Sequence, residues 1–332
     1  MRRLAAQAMG VAMVEQSPSR PALTFGPVPS RRLGRSLGIN NIPPKTCTYS
    51  CVYCQLGRTP RLQLARQSFY SPEDITQAVQ NRVQQAQTAG EVIDYLTFVP
   101  DGEPTLDLNL GRTIQMLKPL GIPIAVITNS SLIDSLEVQD DLSAADWVSL
   151  KLDAFHQAIW QRIDRPHGRL RLSEILQGAL AFARYYAGSL ATETMLVAGV
   201  NDEEEHLASI AEFLNLLRPD VAYLSIPTRP PAEGWVKAPN EYTLVRAYQV
   251  FSAHVGHVEW LIGYEGDAFA ATGDIVSDLL SITAVHPMRQ EAVVSLLRRN
   301  GAGWDVVEEM IRNGHLKELE YGGRKYYLRT AH

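Results

Sequence analysis

Cysteine is scarce in this chain, since its 332 residues contain only Cys47, Cys51 and Cys54. All three fall within eight consecutive residues, in the spacing C-x3-C-x2-C. Three clustered cysteines cannot build a disulfide framework, so the sequence predicts a reducing, cytoplasmic compartment. Long apolar runs are also missing: no stretch approaches the ~18 residues of a membrane span, so no membrane partner is expected.

Excess positive charge is missing as well, because the formal net charge is -5. This argues against a protein that coats nucleic acid or membrane with its whole surface, but it leaves a local basic patch open. The 45% hydrophobic and 20% charged content is that of an ordinary globular protein. None of the eight histidines forms a His-x3-His pair beside an acid, so we assign them to the surface or to packing.

The cysteine spacing itself indicates metal chemistry. Three thiolates on one loop can hold three irons of a [4Fe–4S] cluster and leave the fourth iron without a protein ligand. Zinc is an alternative, but structural zinc needs four ligands, and the nearest histidine is His156, far downstream. A redox pair formed by Cys51 and Cys54 is another alternative, although it leaves Cys47 unexplained.

Short β-branched runs alternate with amphipathic stretches along most of the chain. A helix is predicted to begin at Ser71-Pro72 and to end at Gly90, and another is predicted to be capped by Asn201-Asp202. Six strands are predicted, near Leu37 and at 95–99, 122–128, 147–152, 192–197 and 221–226. Repeated β-α units imply a parallel sheet, which is either doubly wound or curled into a full or partial barrel.

The two ends of the chain differ in character from its middle. We predict a flexible arm over 1–24, a main domain over 25–265, a linker over 266–282 and a small domain over 283–332. The last segment reads as two short helices followed by a hairpin across Gly322-Gly323, a pattern typical of a winged helix. Its eight basic and six acidic residues are compatible with nucleic-acid binding or with a protein-contact module.

The motif Cys-x3-Cys-x-aromatic-Cys, with Tyr53 as the aromatic residue, resembles that of the radical S-adenosylmethionine (radical SAM) enzymes. Further segments over 25–234 resemble the wyosine-synthase-like branch, namely Ser30–Asn40, Asp101–Thr105, Lys151–Asp153, Glu193–Asp202 and Thr228–Pro231. The resemblance implies a partial (β/α)6 TIM-type barrel with a [4Fe–4S] cluster and S-adenosylmethionine as cofactors. It also implies an electron donor such as flavodoxin or ferredoxin, and a 5'-deoxyadenosyl radical that abstracts hydrogen from the substrate.

The same resemblance implies which side chains contact the cofactor. Asp101-Gly102-Glu103 stands where the family has Gly-Gly-Glu, so Gly102 and Glu103 are expected near the cofactor ammonium; in the alternative, Glu103 only caps the next helix. The other expected cofactor contacts are Tyr53, Asn129, Ser130, Asp153, Glu193 and Arg229. For Glu193 and Arg229 a structural ion pair is the alternative. Lys151 is expected to line the barrel, and the arginines at 31, 32 and 35 suit an anion or form a solvated turn.

The cysteine count also narrows the reaction. With no cysteine left for a second cluster, peptide-thioether maturases, methylthiotransferases and wyosine-base formation itself are disfavoured. The leading hypothesis is a radical SAM enzyme that modifies RNA, with tRNA as the expected substrate and with the winged helix helping to hold it. The alternatives are an enzyme of the same class acting on a peptide or small metabolite, and an iron–sulfur redox sensor with a DNA-binding winged helix.

Overall fold

The computed structural model describes residues 22–262, 269 and 273–330. Its helices and strands are β1 Thr24–Ser30, β2 Gly34–Ile39, α1 Pro72–Thr88, β3 Tyr95–Phe98, α2 Leu110–Leu117, β4 Ile124–Thr128, α3 Leu136–Ser143, β5 Trp147–Lys151, α4 Gln157–Ile163, α5 Leu172–Ala183, β6 Ser189–Met195, α6 Glu204–Leu217, β7 Val221–Ser225, α7 Glu241–Ser252, β8 Val258–Leu261, α8 Ile275–Val285, β9 Met288–Arg289, α9 Gln290–Arg299, α10 Asp305–Arg312, β10 Leu316–Tyr321 and β11 Arg324–Arg329. None of the described helices is long and apolar enough to cross a membrane. Most of the arm predicted over 1–24, and part of the predicted linker, lie outside the described residues.

One sheet organises the main domain. Its eight strands β1 to β8 follow one another in chain order; β1 is antiparallel to β2, and all later neighbours are parallel. The sheet curls into a half barrel, and in the described residues no pairing joins β1 to β8, so the barrel stays open. This confirms the partial barrel and excludes the doubly wound alternative, whose strand order would reverse at a switch point. All six predicted strands are present, and β1 and β8 add to them.

Local sequence signals set some element ends and not others. Helix α1 begins as predicted, because the Ser71 Oγ accepts a hydrogen bond from the Asp74 N–H at 3.0 Å. The predicted capping role of Asn201 is wrong. Its Oδ1 accepts from the Val197 N–H at 2.9 Å, and its Nδ2 donates to the Asp153 carbonyl at 2.8 Å. This buried side chain satisfies the backbone of two loops, so α6 begins later, at Glu204.

The C-terminal elements form a second, smaller sheet that is tied to the first. Its strand order is β10-β11-β9, and α9 and α10 pack on it. The core beneath it includes Leu279 of α8 and Tyr327 of β11 together with Phe25 and Val28 of β1. Helix α8 occupies much of the segment expected to be a linker. The C-terminal unit therefore shares a hydrophobic core with the first hairpin of the half barrel.

The hairpin of β10 and β11 also reaches the other side of the half barrel. The Tyr321 hydroxyl donates to the Pro227 carbonyl at 3.0 Å, and the Tyr326 hydroxyl donates to the Thr228 carbonyl at 2.9 Å. Both acceptors belong to the loop that follows β7. The C-terminal unit is thus held at both β1 and the loop after β7.

Candidate active site

A cavity of about 300 Å³ opens at the carboxyl ends of the parallel strands, the end at which β/α barrels keep their sites. The predicted site residues that line it are Cys47, Cys51, Cys54, Tyr53, Gly102, Asn129, Glu193 and Arg229. Lys151 lines it too, as predicted. Glu103, Ser130 and Asp153 do not, because these three side chains are buried behind the cavity wall.

The cysteine loop is fixed by the residues between its cysteines. Val52 is fully buried, and its N–H donates to the Ile163 carbonyl at 2.9 Å. Tyr49 is also buried and accepts a hydrogen bond from the Trp160 Nε1 at 3.2 Å. Because these apolar and aromatic side chains are anchored under the loop, the half-buried cysteines are held at the cavity wall.

The three cysteine thiols are in surroundings that disfavour the thiolate form unless a cation is bound to the sulfur. Burial raises the pKa of the Cys47 thiol to about 12, and burial also raises the pKa of Cys51 and of Cys54. Two donors nevertheless approach the sulfurs: Asn129 Nδ2 lies 3.5 Å from the Cys47 Sγ, and Lys45 Nζ lies 4.0 Å from the Cys54 Sγ. Such donors stabilise negative charge on sulfur, so the loop suits thiolates that are paired with iron.

The cysteine loop has the ligands that a cluster needs. In the described part of the chain, no three His, Cys, Asp or Glu side chains converge as the ligands of one metal ion would. The thiolates of a cubane cluster each bind a different iron. Three cysteines at one cavity wall can therefore hold a [4Fe–4S] cluster.

The turn that follows β3 backs directly onto the cysteine loop. Gly102 has a φ of +151°, and a Cβ at this position would lie 1.9 Å from the Thr46 carbonyl oxygen. The next N–H, that of Glu103, donates to the same oxygen at 2.9 Å. Only glycine fits so close an approach, so Gly102 sets the distance between this turn and the cysteine loop.

Glu103 holds the cavity wall from behind. Its Oε1 accepts hydrogen bonds from the Thr105 N–H at 3.0 Å and from the Thr128 hydroxyl at 2.6 Å, and its Oε2 accepts from the Asn129 N–H at 2.7 Å. Burial raises the pKa of this carboxyl, although the hydrogen bonds oppose the effect. Glu103 caps the short 3-10 helix Pro104–Leu106, which is the alternative role that the sequence allowed.

Asp101 is the acid of this turn that faces the cavity. Its Oδ1 lies 3.4 Å from Lys45 Nζ, which also donates to the Gly57 carbonyl at 3.1 Å. Burial raises the pKa of Asp101, and Lys45 counteracts that rise. Lys45 and Asp101 were not predicted from the sequence as members of the site. The only sequence feature that could have predicted them is their position, since Lys45 lies two residues before the first cysteine.

Asp153 positions Tyr53 rather than facing the cavity. The Tyr53 hydroxyl donates to the Asp153 carboxylate, and the Asp153 Oδ1 also accepts from the Met195 N–H at 2.6 Å. Asp164, a second buried acid that the sequence did not single out, lies 3.3 Å from the same hydroxyl. Lys151 Nζ stands 4.8 Å above the Tyr53 ring centre. These contacts fix the aromatic residue of the cysteine motif in one orientation.

Glu193 forms an ion-pair network across the half barrel. It pairs with Arg32 from the turn between β1 and β2, and with Lys151 Nζ at 3.1 Å; the Ser225 hydroxyl donates to it at 3.0 Å. Burial opposes ionisation of Glu193, but Arg32 and Lys151 outweigh it and lower the pKa to about 2. One prediction for the arginine turn was that it binds an anion. For Arg32, that anion is the Glu193 carboxylate of the protein itself.

Arg229 and Ser130 occupy different environments. Arg229 Nη1 donates to the Gln55 Oε1 at 2.9 Å, and its Nη2 lies 3.0 Å from the His286 Nε2. Arg229 therefore lies between the cysteine loop and the C-terminal unit. Ser130 adopts a left-handed φ of 66° directly after Asn129, and its N–H donates to the Thr128 hydroxyl at 3.0 Å. Ser130 shapes the turn that aims Asn129 at Cys47.

A second carboxylate locks the outer side of the cysteine loop. Glu233, in the loop after β7, accepts two hydrogen bonds from Arg58, at 2.7 and 2.8 Å, and also pairs with Arg165. Its N–H donates to the Val52 carbonyl at 3.1 Å. The hydrogen bond from Arg58, with the second arginine, lowers the pKa of Glu233 to about 2. The loop after β7 is thereby joined to the cysteine loop.

Comparison with known proteins places this geometry in a family. The model of the Radical SAM superfamily matches residues 41–211, which include the cysteine loop and strands β3 to β6. The chain belongs to the radical SAM superfamily. It is therefore a radical SAM enzyme that uses a [4Fe–4S] cluster and S-adenosylmethionine, and this replaces the alternative of a non-enzymatic redox sensor.

Relatives extend over nearly the whole chain. A UPF0026 protein of Methanocaldococcus jannaschii is 45% identical over 310 residues, which cover 93% of this chain and 96% of the relative. A UPF0026 protein of Helicobacter pylori strain J99 is 30% identical over 310 residues, covering 92% and 97%. The C-terminal unit is thus included in the similarity.

Solved structures share the fold at low sequence identity. A structure of TYW1 with a lysine-pyruvate adduct bound gives a TM-score of 0.52 at 16% identity, covering 67% of this chain and 74% of that one. SuiB of Streptococcus suis bound to S-adenosylmethionine gives a TM-score of 0.50 at 14% identity, covering 67% and 49%. At these identities the likeness shows the fold alone.

The close approach at Gly102 generates a prediction. Gly102→Ala should push the turn away from Thr46, lower the free energy of unfolding by about 2 kcal/mol or more, and reduce the iron bound per chain after anaerobic reconstitution. Gly168→Ala is the matched control, because a Cβ there meets nothing within 4 Å. Urea unfolding and iron analysis measure both effects. Normal stability and iron content in Gly102→Ala would show that the turn does not set the loop's position.

Proposed function

We propose that Cys47, Cys51 and Cys54 each bind one iron of the [4Fe–4S] cluster, and that the fourth iron binds S-adenosylmethionine. When bound and reduced, this cluster would supply the one electron needed to cleave S-adenosylmethionine to methionine and a 5'-deoxyadenosyl radical, which would abstract hydrogen from the substrate. The observation that carries the proposal is the alignment of three cysteine sulfurs along one cavity at the carboxyl ends of the strands. Their closely spaced free thiols also support a reducing, cytoplasmic location.

The cavity wall suits a zwitterionic cofactor. Arg32 and Lys151 oppose the single carboxylate of Glu193, so this side of the wall carries net positive charge and suits a carboxylate. Asp101 and the carbonyl groups around Gly102 lie on the other side and suit an ammonium group. We assign direct cofactor contact to Tyr53, Gly102, Asn129, Glu193 and Arg229.

The remaining predicted residues act from behind the wall. Glu103 holds the backbone of Asn129, Ser130 shapes the same turn, and Asp153 holds the Tyr53 hydroxyl. Each is proposed to position a neighbour that contacts the cofactor, because its own polar atoms are buried and are turned away from the cavity.

The cysteines give the most direct test. Alanine at any one of Cys47, Cys51 or Cys54 should abolish the release of 5'-deoxyadenosine from S-adenosylmethionine by anaerobically reconstituted, dithionite-reduced protein, and should remove most of the iron. Chromatography of the products and iron analysis check the two outcomes. Full cleavage activity in any of the three alanine variants would refute this ligand set.

A second test uses the charges that flank Cys54. Lys45→Met removes a cation 4.0 Å from the Cys54 Sγ and should make the cluster harder to reduce, whereas Asp101→Asn should make it easier. We expect each shift to be roughly tenfold in the ratio of reduced to oxidised cluster, or about 59 mV for a one-electron couple. Potentiometric titration monitored by electron paramagnetic resonance measures the midpoints. Shifts of the same sign in both variants would contradict the assignment.

We propose RNA, and tRNA in particular, as the substrate class. The segments similar to the wyosine-synthase-like branch support it, and so does a C-terminal unit of helices and a three-stranded sheet, which we propose to be a winged helix. That unit contacts Pro227 and Thr228, which line the cavity. Helix α10 exposes acidic residues, so we assign RNA contact to exposed arginines elsewhere in the unit, including Arg299 at the end of α9 and Arg324 at the start of β11.

The RNA prediction is tested in the full chain, because a cut inside α8 would expose the core shared with β1. Arg299→Glu with Arg324→Glu should lower the affinity for bulk tRNA about tenfold or more at low salt and reduce the salt dependence of binding. Arg112→Glu with Arg184→Glu is the control with equal charge change. Filter binding over a salt series measures both.

The competing substrate class is a peptide or small metabolite. Nothing about the cavity of about 300 Å³ requires a macromolecular substrate, because the size of the cavity is that of a small-ligand site, which the cofactor itself also occupies in this proposal. If the native protein does not bind tRNA, the small-substrate alternative is supported. Equal tRNA affinity in the two double variants would support it as well.

A further inference from the structure

Acidic residues are missing from the segment that carries the cysteines. From Lys45 to Ser71 the sequence contains four basic residues and no Asp or Glu, in a chain whose net charge is -5. The segment from 165 to 171, in contact with it, also has no acid and contains three arginines. We define the arginine surface as Arg58, Arg61, Arg162, Arg165, Arg169 and Arg171.

Backbone contacts bring these arginines together around the cysteine loop. On one side of the loop, the Gln63 N–H donates to the Cys47 carbonyl at 3.0 Å, and the Thr59 N–H donates to the Ser50 hydroxyl at 3.1 Å. On the other side, the Val52 N–H donates to the Ile163 carbonyl at 2.9 Å, and the His167 N–H donates to the Thr48 carbonyl at 2.9 Å. The cysteine loop is thus the middle one of three neighbouring segments, and the arginines stand on the two outer ones.

Few acids offset the arginine surface. Asp164 lies buried beneath it, Glu233 is buried and shared by Arg58 and Arg165, and Glu174 is exposed in the first turn of α5. Within the described ranges, no ion pair involves Arg61, Arg162 or Arg169, and each of these side chains is exposed. The surface therefore keeps a positive potential, although the chain as a whole has a net charge of -5.

The arginine surface lies outside the catalytic cavity. None of its six arginines lines the cavity that the cysteines face. It is therefore placed to bind something that approaches the cysteine loop from outside rather than a molecule held within the half barrel. Cleavage of S-adenosylmethionine needs an external electron donor, because each reduction of the cluster consumes one electron.

We propose that the arginine surface docks an acidic one-electron carrier protein, of the flavin or iron–sulfur kind. The carrier binds over the outer side of the cysteine loop, loses one electron and becomes oxidised, while the cluster behind the loop gains that electron and becomes reduced. This inference rests on the proposed function, since it places the cluster at Cys47, Cys51 and Cys54. Charge complementarity at such a surface accelerates encounter, and salt weakens it.

The test separates electron delivery from chemistry. Arg61→Glu with Arg169→Glu changes two exposed arginines that hold no structural partner in the described residues, and spares Arg58 and Arg165, which hold Glu233. With a reduced acidic flavodoxin as the donor at low salt, 5'-deoxyadenosine formation by this variant should fall about tenfold or more. With saturating dithionite it should match the native protein. The control Arg112→Glu with Arg184→Glu should behave like the native protein with both reductants.

Further measurements fix the interpretation. The flavodoxin-dependent rate of the native protein should fall steeply with salt, and the milder pair Arg61→Gln with Arg169→Gln should give an intermediate rate. A flavodoxin-dependent rate that is unchanged in both pairs overturns the docking surface. Loss of tRNA binding in Arg61→Glu with Arg169→Glu, with flavodoxin dependence intact, also overturns it and makes this an RNA surface. If the native protein forms no 5'-deoxyadenosine even with dithionite, the proposed function itself fails.

Discussion

The geometry of the site depends on one buried carboxylate. The Glu103 carboxylate accepts hydrogen bonds from the 3-10 turn that follows it and from the end of β4. Its own N–H donates to the carbonyl of Thr46, the residue before the first cysteine. An ionised carboxylate without such donors would be very costly to bury. Satisfying this one group therefore brings three separate parts of the chain to fixed distances from one another, and the cavity wall is shaped before any cofactor binds.

Charge inside the cavity is arranged in partnered sets. Glu193 faces Arg32 and Lys151, and Asp101 faces Lys45, so little of the wall's charge needs water to stabilise it. Arg32 comes from the first hairpin and Glu193 from β6, so the pair also spans the open interior of the half barrel. A wall whose charged groups are held in place by partners can orient a zwitterion without rearranging, which is how a preorganised site lowers a barrier.

The sequence predicted the positions of strands and loops better than the directions in which side chains point. Most of the six parallel strands were recognisable because they are short, largely apolar runs between turn residues, and the cysteine loop was recognisable from its spacing. Strand β8 was missed, since half of Val258-Glu259-Trp260-Leu261 is only partly buried, as befits the sheet edge. Glu103 and Asp153 were correctly located near strand ends and Asn201 was wrongly predicted to cap a helix, yet all three side chains turn toward backbone and hydroxyl groups that include ones from distant segments. Such partners have no local signature.

Glu233 gives the molecule a mechanical connection. Its carboxylate holds arginines on both sides of the cysteine loop, while the loop that contains it also accepts the hydroxyl hydrogen bonds of Tyr321 and Tyr326. The loop after β7 is therefore a common support, because it receives the C-terminal hairpin at Pro227 and Thr228 and holds the segments beside the cysteine loop through Glu233.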